Sequence, residues 1–305
     1  MKRLRRIYLE ISNICNLQCT FCPAVERPKA TLALSDFSRL LTEALPLADE
    51  VCLHLMGEPL SHPQLREILD ECDRQGAQVN LTTNGTLLSQ YDAAVFFRPS
   101  IRQINFSLHS FSDNYPERDP APYLYDILQF TREALRSRPE LYINFRLWNL
   151  PTTTGARDEN QPYIDAICGF FNVPLNERVD VAHRKSKNVT GRAYLHFDTR
   201  FEWPGLGLPV LAEKGFCHAL SQHVGVHADG TVVACCLDKE AGNNLGNALA
   251  TPLAEILDAD LAKKLRAGFQ RGELLSPLCQ RCDYISRFKK TPRSVAKQAA
   301  PTQNT

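Results

Sequence analysis

Three cysteines near the start of the chain have the spacing of metal ligands. Cys15, Cys19 and Cys22 form the pattern C-x3-C-x2-C, and Phe21 immediately precedes the third cysteine. Thiolates suit iron–sulfur clusters and zinc, but a structural zinc ion normally takes four protein ligands, and no fourth cysteine lies nearby in the sequence. Three thiolates on a [4Fe–4S] cluster would leave one iron open to a small molecule. The pattern therefore predicts such a cluster, with a zinc site or three unligated thiols as the alternatives.

A second set of cysteines lies toward the other end of the chain. Cys217 is followed by Cys235 and its neighbour Cys236, and then by Cys279 and Cys282 in a C-x2-C spacing. Side chains alternate between the two faces of a strand, so Cys236 would replace Cys235 as a ligand only at a bulge. The closing pair alone could be a zinc knuckle.

The first motif resembles the defining motif of the radical S-adenosylmethionine (SAM) superfamily, C-x3-C-x-aromatic-C, with Phe21 at the aromatic position. This resemblance implies that the open iron binds SAM and that an electron from the cluster cleaves it. The 5′-deoxyadenosyl radical formed in this way then takes a hydrogen atom from a substrate. The protein supplies the position of the reactants and excludes water.

Three further segments resemble those through which the superfamily contacts SAM. The first is Gly-Glu-Pro at 57–59, preceded by Met56 where relatives often have another glycine. The second is Thr-Asn-Gly at 83–85, and the third is Ser-Leu-His at 107–109. The first two could also be ordinary turns. His109 stands where many relatives have aspartate and is a candidate acid or base, or a satisfied core histidine, and Arg146 could contact a carboxylate bidentately. The implied SAM-binding residues are Phe21, Gly57, Glu58, Pro59, Asn84 and Ser107.

The C-terminal region resembles the SPASM/twitch extension of radical SAM enzymes. The matched features are Gly-x4-Cys at 230–235, Asp238, Leu-Gly-Asn at 245–247 and the closing C-x2-C. Because no cysteine follows Cys282, the resemblance implies a shortened, twitch-like domain with one auxiliary [4Fe–4S] cluster. A zinc site on the same four cysteines is the alternative. The implied ligands are Cys217, Cys235, Cys279 and Cys282.

The elements that must position these motifs alternate between strands and helices up to about residue 185. Six strands with intervening helices predict an α/β fold, namely a partial (β/α)6 TIM-like barrel, although an open doubly wound sheet has the same count. Either fold binds ligands at the C-terminal ends of its strands. Strands are predicted at Ile7–Ser12, Glu50–Leu55, Gln78–Thr82, Gln103–Leu108, Tyr142–Leu147 and Arg178–Val181. Helices are predicted at Ser35–Ala44, Pro63–Arg74, Leu87–Phe97, Tyr123–Arg136 and Pro162–Phe171, with Ser35 as an N-cap and Gly76 as a helix end.

The pattern changes after about residue 185 and predicts a small C-terminal α+β cluster-binding domain. A β-hairpin is expected to turn at Asp229 and Gly230, and a helix is expected at Leu253–Ala267. The predicted domains are a radical SAM partial barrel at 1–195, a SPASM/twitch-like domain at 196–288 and a disordered basic tail at 289–305. The segment Phe197–Trp203 bridges the two domains and is expected either to line the substrate cavity or to pack between them.

Composition excludes several classes of protein. The 305 residues carry a net charge of +1, from 35 basic and 34 acidic residues. This balance gives no overall electrostatic attraction to nucleic acid or to an anionic membrane. No run approaches roughly 18 apolar residues and no signal peptide is visible, so a cytoplasmic protein is predicted. Eleven cysteines in a long chain without a signal peptide argue against a disulfide framework. Cys52, Cys72 and Cys168 are predicted to be packed core thiols.

The resemblance implies a reaction class more firmly than a substrate. The leading hypothesis is radical modification of a peptide or protein side chain, with the auxiliary cluster accepting an electron. The alternatives are dehydrogenation of a small molecule such as a sugar alcohol, or a non-catalytic zinc or iron–sulfur binding protein. Only fourteen residues precede Cys15, and no leader-binding winged helix is visible among them. The expected partners are the substrate and an electron donor such as flavodoxin or ferredoxin.

Overall fold

The computed structural model describes residues 2–152, 154–155, 158–174, 179–181 and 185–288. The predicted tail at 289–305 lies outside the described residues. None of the described helices is long and apolar enough to cross a membrane.

A single ten-stranded sheet organises the described part of the chain. Its order is β12-β11-β10-β1-β2-β3-β4-β5-β9-β8, and it is open at both edges. The seven strands from β10 to β9 in this order run parallel, and the outer strands β12, β11 and β8 are antiparallel. The strands are β1 (Leu4–Leu9), β2 (Ala48–Cys52), β3 (Val79–Thr83), β4 (Ile101–Ser107), β5 (Tyr142–Leu150), β6 (Thr154–Gly155), β7 (Val179–Asp180), β8 (Ser186–Thr190), β9 (Ala193–Thr199), β10 (His223–Val226), β11 (Thr231–Val233) and β12 (Asn244–Asn247).

The connecting helices bury one apolar face against this sheet. In α1 the buried residues are Phe37, Leu40, Leu41 and Ala44, a spacing of three and four residues that matches the period of the helix. This helix begins one residue before Ser35, with Ala33 at the cap and no side-chain capping bond, so the predicted serine cap is wrong. The helices are α1 (Leu34–Ala44), α2 (Leu65–Arg74), α3 (His109–Asn114), α4 (Ala121–Ser137), α5 (Gln161–Phe171), α6 (Leu253–Asp258) and α7 (Asp260–Arg271).

Strand β5 shows how the sheet separates the core from the functional face. Ile143, Phe145 and Leu147 are fully buried, whereas the residues between them are half-buried. Because successive side chains point to opposite faces, Arg146 and Trp148 share the face opposite these three core residues. Both line the main cavity of the protein.

The predicted helix at Leu87–Phe97 is wrong. Two short 3₁₀ turns stand there instead, at Leu88–Gln90 and Ala93–Phe96. Tyr91 adopts an extended backbone between them, and the Asp92 carboxylate accepts a hydrogen bond of 2.9 Å from the Ala94 amide. An aspartate that caps a new turn competes with helix continuation, which the apolar spacing alone does not reveal.

The sixth predicted strand is also wrong. Val179–Asp180 pairs antiparallel with Thr154–Gly155 in a separate two-stranded sheet, and Arg178 lies outside the described residues. The sixth parallel strand after β1 to β5 is β9, which pairs with β5 from Ile143 opposite Ala193 onward. Strand β9 runs to Thr199, four residues past the boundary predicted at 195. The first five predicted strands are confirmed with small shifts at their ends.

The C-terminal region continues the same sheet. Strand β10 pairs in parallel with β1, and β10 and β11 form the predicted hairpin. Gly230 has a φ of +84° at its turn, a conformation that glycine adopts without strain. The helix predicted at Leu253–Ala267 is interrupted at Ala259, whose backbone is extended, and therefore forms α6 and α7.

Candidate functional site

A cavity of about 540 Å³ lies on the inner face of the sheet. Its wall combines residues of β1 to β5 with residues of the C-terminal region, so both halves of the chain enclose it. A second cavity, of about 530 Å³, lies near the N-terminal ends of β3, β4 and β5, away from the cysteine motifs.

The loop between β1 and α1 presents Cys15, Cys19 and Cys22, and α3 fixes its position. The Asn114 side-chain amide donates to Cys19 Sγ over 3.0 Å, and its carbonyl accepts from the Gln18 backbone amide over 2.9 Å. The preceding residue, Asp113, accepts from both the backbone and the hydroxyl of Thr20. Sequence reasoning missed Asp113 and Asn114, because only the fold brings them beside the cysteine loop.

The thiols of this loop suit a multinuclear cluster. Cys15 and Cys22 are exposed residues and Cys19 is half-buried, yet nearby atoms exclude enough water to raise the pKa of all three thiols, that of Cys22 to about 12. The bare thiols therefore stay protonated at neutral pH, and a bound metal would be needed to hold them as thiolates. Among the described residues no three His, Cys, Asp or Glu side chains converge on a single ion. Three thiolates can each bind a different iron of a [4Fe–4S] cluster, so this donor set fits such a cluster.

The Gly-Glu-Pro segment packs against the same loop. Gly57 has a φ of +77°, and a Cβ there would lie 2.3 Å from the carbonyl oxygen of Ser12. Glu58 is buried, with one carboxylate oxygen accepting from the Asn84 amide over 2.7 Å and the other from the Leu60 amide over 3.0 Å. Burial raises the pKa of this carboxyl group. The geometry thus brings the predicted residues Glu58 and Asn84 together, with Pro59 buried in the turn that follows.

A buried glutamate directly after β1 connects this segment to both halves of the chain. Glu10 is fully buried and accepts two hydrogen bonds from one Nη of Arg27, at 3.0 and 3.1 Å. It also accepts from the backbone amides of Met56, at 3.0 Å, and Ala228, at 3.1 Å. The sequence signal for this role is a single charge inside the apolar run of the first strand.

The remaining predicted residues of the first site lie on the cavity wall. Phe21, Ser107 and His109 all line it, and the rings of Phe21 and His109 are 4.7 Å apart. Burial lowers the pKa of His109 to about 4, and its Nδ1 lies 3.1 Å from the backbone carbonyl oxygen of Arg146. His109 is therefore neutral at pH 7. Its role as an acid or base stays a prediction.

The second set of cysteines converges at the opposite side of the cavity. All four cysteines of this set are half-buried, namely Cys217, Cys235, Cys279 and Cys282. Burial is the main cause that raises the pKa of Cys235, Cys279 and Cys282, and the nearby thiol of Cys217 raises each of these pKa values further. The Asn243 side-chain amide donates to Cys279 Sγ over 3.6 Å. Four thiols at this spacing could ligate one closed cluster.

Cys236 occupies a different environment from Cys235. The Cys236 thiol lies near Cys217, as the Cys235 thiol does, but it also interacts with the Tyr8 hydroxyl and lies near Cys52, whereas Cys235 lies near Cys279. The pairing of β11 shifts register between Val232 and Val233, which is the kind of irregularity that lets consecutive side chains reach one cavity. The choice of Cys235 over Cys236 as the ligand stays a prediction.

Asp238, one of the features matched in the C-terminal region, is buried, and the three predicted core cysteines, which lie outside that region, are buried to different degrees. The buried Asp238 accepts from the backbone amides of Gly242 and Asn243, each at 2.7 Å, and so fixes the turn that carries Asn243. Of the predicted core thiols, Cys72 is fully buried in α2, Cys52 is buried beside the cavity and Cys168 is half-buried.

Family profiles match two regions of the chain. The profile of the radical SAM superfamily matches residues 9–157, and that of the SPASM iron–sulfur cluster-binding domain matches residues 217–283. These domains imply a [4Fe–4S] cluster with SAM in the first region and auxiliary iron–sulfur ligation in the second. Both assignments agree with the two sets of cysteines described above.

Three known proteins illustrate the similarity. PqqA peptide cyclase from Streptomyces rochei is 32% identical over 104 residues, or 33% of this chain and 28% of that protein. SuiB from Streptococcus suis bound to precursor peptide SuiA has a TM-score of 0.61 at 16% identity, covering 95% of this chain and 74% of that chain. BtrN in complex with AdoMet and 2-DOIA has a TM-score of 0.57 at 16% identity, covering 93% of this chain and 95% of that chain. The structural matches show a shared fold, and the curated relatives match over only 25% to 44% of their own length.

Proposed function

We propose that this chain, a radical SAM protein with a C-terminal SPASM domain, abstracts a hydrogen atom from a substrate held in the cavity on the inner face of its sheet. We further propose that the substrate is a side chain of a peptide or protein. When bound, the first cluster and SAM supply the carbon radical that this chemistry requires. The three ligands of that cluster would be Cys15, Cys19 and Cys22, and the auxiliary cluster would use the second set of cysteines.

The observation that carries this proposal is that one cavity is lined by cysteines of the second set and by a residue of the loop that carries the first set. Phe21, adjacent to Cys22, lies on its wall, and so do Cys217, Cys235 and Cys282. A substrate between the two sets would meet a hydrogen-abstracting centre at one side and an electron acceptor at the other. Side chains from both parts of the chain line this space, and a substrate that fills it would help to keep water from a reactive radical.

The peptide assignment rests on the relatives and on the size of the cavity. One curated relative is named a peptide cyclase, and the SuiB structure contains a precursor peptide. A volume of about 540 Å³ is within the range of small-ligand sites and accommodates an amino-acid side chain with its flanking backbone. A cytoplasmic location and an electron donor such as flavodoxin or ferredoxin complete the proposal.

A small-molecule substrate is the second candidate. This chain covers 95% of the BtrN structure, which contains 2-DOIA, but only 74% of the SuiB structure. An enclosed cavity formed by a single chain would also suit a small polyol. This candidate predicts the same SAM cleavage and differs only in what is oxidised.

SAM cleavage by anaerobically reconstituted protein tests the proposed reaction class. We expect about eight iron atoms per chain with matching sulfide, and 5′-deoxyadenosine on addition of SAM and dithionite. Replacement of Cys15, Cys19 and Cys22 by alanine should abolish this product. Replacement of Cys279 and Cys282 by alanine should remove about half of the iron and lower stability, because cluster binding and folding are linked. Zinc without sulfide in the wild-type protein would instead establish a non-catalytic binding protein.

Profiling of a deletion strain separates the two substrate classes. A peptide that lacks its modification in the deletion strain, and regains it on complementation, would support the leading proposal. Accumulation of an unoxidised metabolite, with the peptide pool unchanged, would establish the small-molecule candidate in its place.

A further inference from the structure

A half-buried arginine on the cavity wall has no carboxylate partner among the described residues. Arg146 lies on the inner face of β5 and lines the cavity. Its closest polar contact is the Thr82 hydroxyl, 3.5 Å from one Nη, and its guanidinium lies 4.4 Å from the centre of the Trp148 ring. The titratable groups that face it are Tyr8, Cys52, Arg6 and Tyr284, and also three histidines, His54, His109 and His196. None of these groups carries a negative charge at neutral pH.

The nearby carboxylates are neutralised by other cations. Glu50 bonds to Arg6 over 2.8 Å and to Arg102 over 3.0 Å, and also accepts from the Asn80 amide. Asp198, the acidic group near Tyr284, lies 2.8 Å from Lys185 and 2.6 Å from Arg287. Arg200, the arginine beside Phe21, is paired with Asp113 over 3.2 Å. Arg146 and Arg5 are therefore the two charges in this wall without a carboxylate partner among the described residues, and of these Arg5 is exposed to solvent whereas Arg146 is half-buried.

Burial of an uncompensated charge is costly, so its presence requires an explanation. Desolvation lowers the pKa of Arg146 to about 10, which still leaves the guanidinium protonated at pH 7. Most proteins avoid this cost by pairing buried charges. An anionic ligand that enters the cavity would pair this one.

Two buried polar atoms near Arg146 also lack partners. His54 Nδ1 and Asn80 Oδ1 make no hydrogen bond with the described residues, and both side chains line the cavity. Burial lowers the pKa of His54 to about 3, so its ring is neutral and one nitrogen can donate. Because Asn80 donates its amide group to Glu50, its free oxygen is an acceptor. Both atoms have almost no accessible surface, so they lie behind the wall, and Arg146 is the cation beside them that a ligand in the cavity can reach.

We propose that Arg146 binds a carboxylate of the substrate inside the cavity. This inference rests on the proposed function and names its substrate class, which is a carboxylic acid such as an acidic side chain or a peptide C-terminus. One guanidinium among neutral groups matches a single negative charge. A planar carboxylate also matches the two-pronged geometry of arginine.

Tryptophan fluorescence offers a direct measurement of this site. The chain has two tryptophans, Trp148 and Trp203, and both line the cavity. The probe is N-acetylglycine, with N-acetylglycinamide as its uncharged equivalent, titrated anaerobically into the reconstituted protein. We expect saturable quenching by the acid and none by the amide. Arg146→Gln should weaken binding of the acid by about tenfold or more, and Arg146→Lys by less, because a charge-assisted hydrogen bond is partly retained.

A matched variant separates a specific site from a general positive potential. Arg5 lines the mouth of the same cavity and is exposed, so Arg5→Gln removes the same charge and should leave the affinity unchanged. Equal weakening by both substitutions, or equal binding of the acid and the amide, would overturn the proposal. The iron content and absorption spectrum of each variant establish that it is folded and loaded.

Two further titrations distinguish the sources of the anion. Inorganic phosphate that binds through Arg146 more tightly than N-acetylglycine would replace the carboxylate assignment by a phosphate. Competition between SAM and the probe for one site would assign Arg146 to the carboxylate of SAM instead of the substrate. The binding measurement does not depend on SAM cleavage, so loss of this site and failure of the proposed reaction are observed separately.

Discussion

Replacement of Glu10 by glutamine should destabilise the protein far more than a change of one atom suggests. Glu10 is fully buried and accepts four hydrogen bonds, two of them from Arg27 and one each from the amides of Met56 and Ala228. A glutamine keeps one acceptor oxygen and turns its amide group toward a donor in either orientation. One backbone amide therefore loses its partner, and Arg27 loses its counter-charge in a site where its side chain is only 10% exposed.

The magnitude follows from these two losses. Removal of one partner of a buried ion pair typically costs about 3–5 kcal/mol, and this range includes much of the penalty for the unpaired donors. Total stabilities of domains are about 5–15 kcal/mol, so the expected loss is a large fraction of the whole. At about 2–4 °C per kcal/mol for a chain of this size or somewhat smaller, the melting temperature should fall by roughly 10 °C.

Thermal and urea unfolding, followed by circular dichroism, measure the effect. Glu273→Gln is the matched control, because Glu273 pairs with Arg271 at an exposed position, where an ion pair contributes little, and the substitution should leave the free energy of unfolding nearly unchanged. The double variant Glu10→Gln with Arg27→Met should be less destabilised than the sum of the single variants. A Glu10→Gln protein as stable as the Glu273→Gln protein would refute the role assigned to this buried pair.

Three further predictions concern separate features of the site. Gly57→Ala should abolish SAM binding or prevent folding, because the new Cβ would lie 2.3 Å from a backbone oxygen. Gly76→Ala is its control, because Gly76 has a similar φ of +70° but open space around it, and this variant should fold with a loss of about 1 kcal/mol in the free energy of unfolding. Asn114→Ala should lower the reduction potential of the first cluster, because the side-chain amide that donates to Cys19 stabilises the more negative reduced state. A redox titration followed by electron paramagnetic resonance measures this potential, and an unchanged value would contradict the prediction. Burial lowers the pKa of His223 to about 4, so the unfolded chain takes up a proton that the folded chain does not as the pH falls from about 6.5 toward 4. Stability should decline over that window, and His223→Gln should make the decline shallower in melts recorded at several pH values.

The parts of the site that depend on local spacing were predictable from the sequence. The cysteine motif, the Gly-Glu-Pro turn and the hairpin at Gly230 each combine a short pattern with a backbone requirement that few residues meet. The same is true of the first five strands, whose apolar runs are buried and flanked by helices. In each case the signal and the structure it predicts lie within about ten residues of each other.

The parts that depend on contacts between distant segments were not predictable. Asn114 lies 95 residues from Cys19, and Glu10 lies 218 residues from Ala228, so no local pattern connects either pair. The sixth strand was missed for a related reason. Val179–Asp180 forms a strand, but it pairs with Thr154–Gly155, and β9, which follows later in the chain, pairs with β5 instead.

The pairing of β10 with β1 has a consequence for attempts to divide the protein. A cut between β9 and β10 would remove the parallel neighbour of β1 and leave a row of unpaired amides and carbonyls beside the buried side chains of Ile7 and Leu9. Exposed edges of this kind recruit strands from other molecules and promote aggregation. Neither fragment should remain monomeric, so truncation would report on insolubility instead of the separate activities of the two halves.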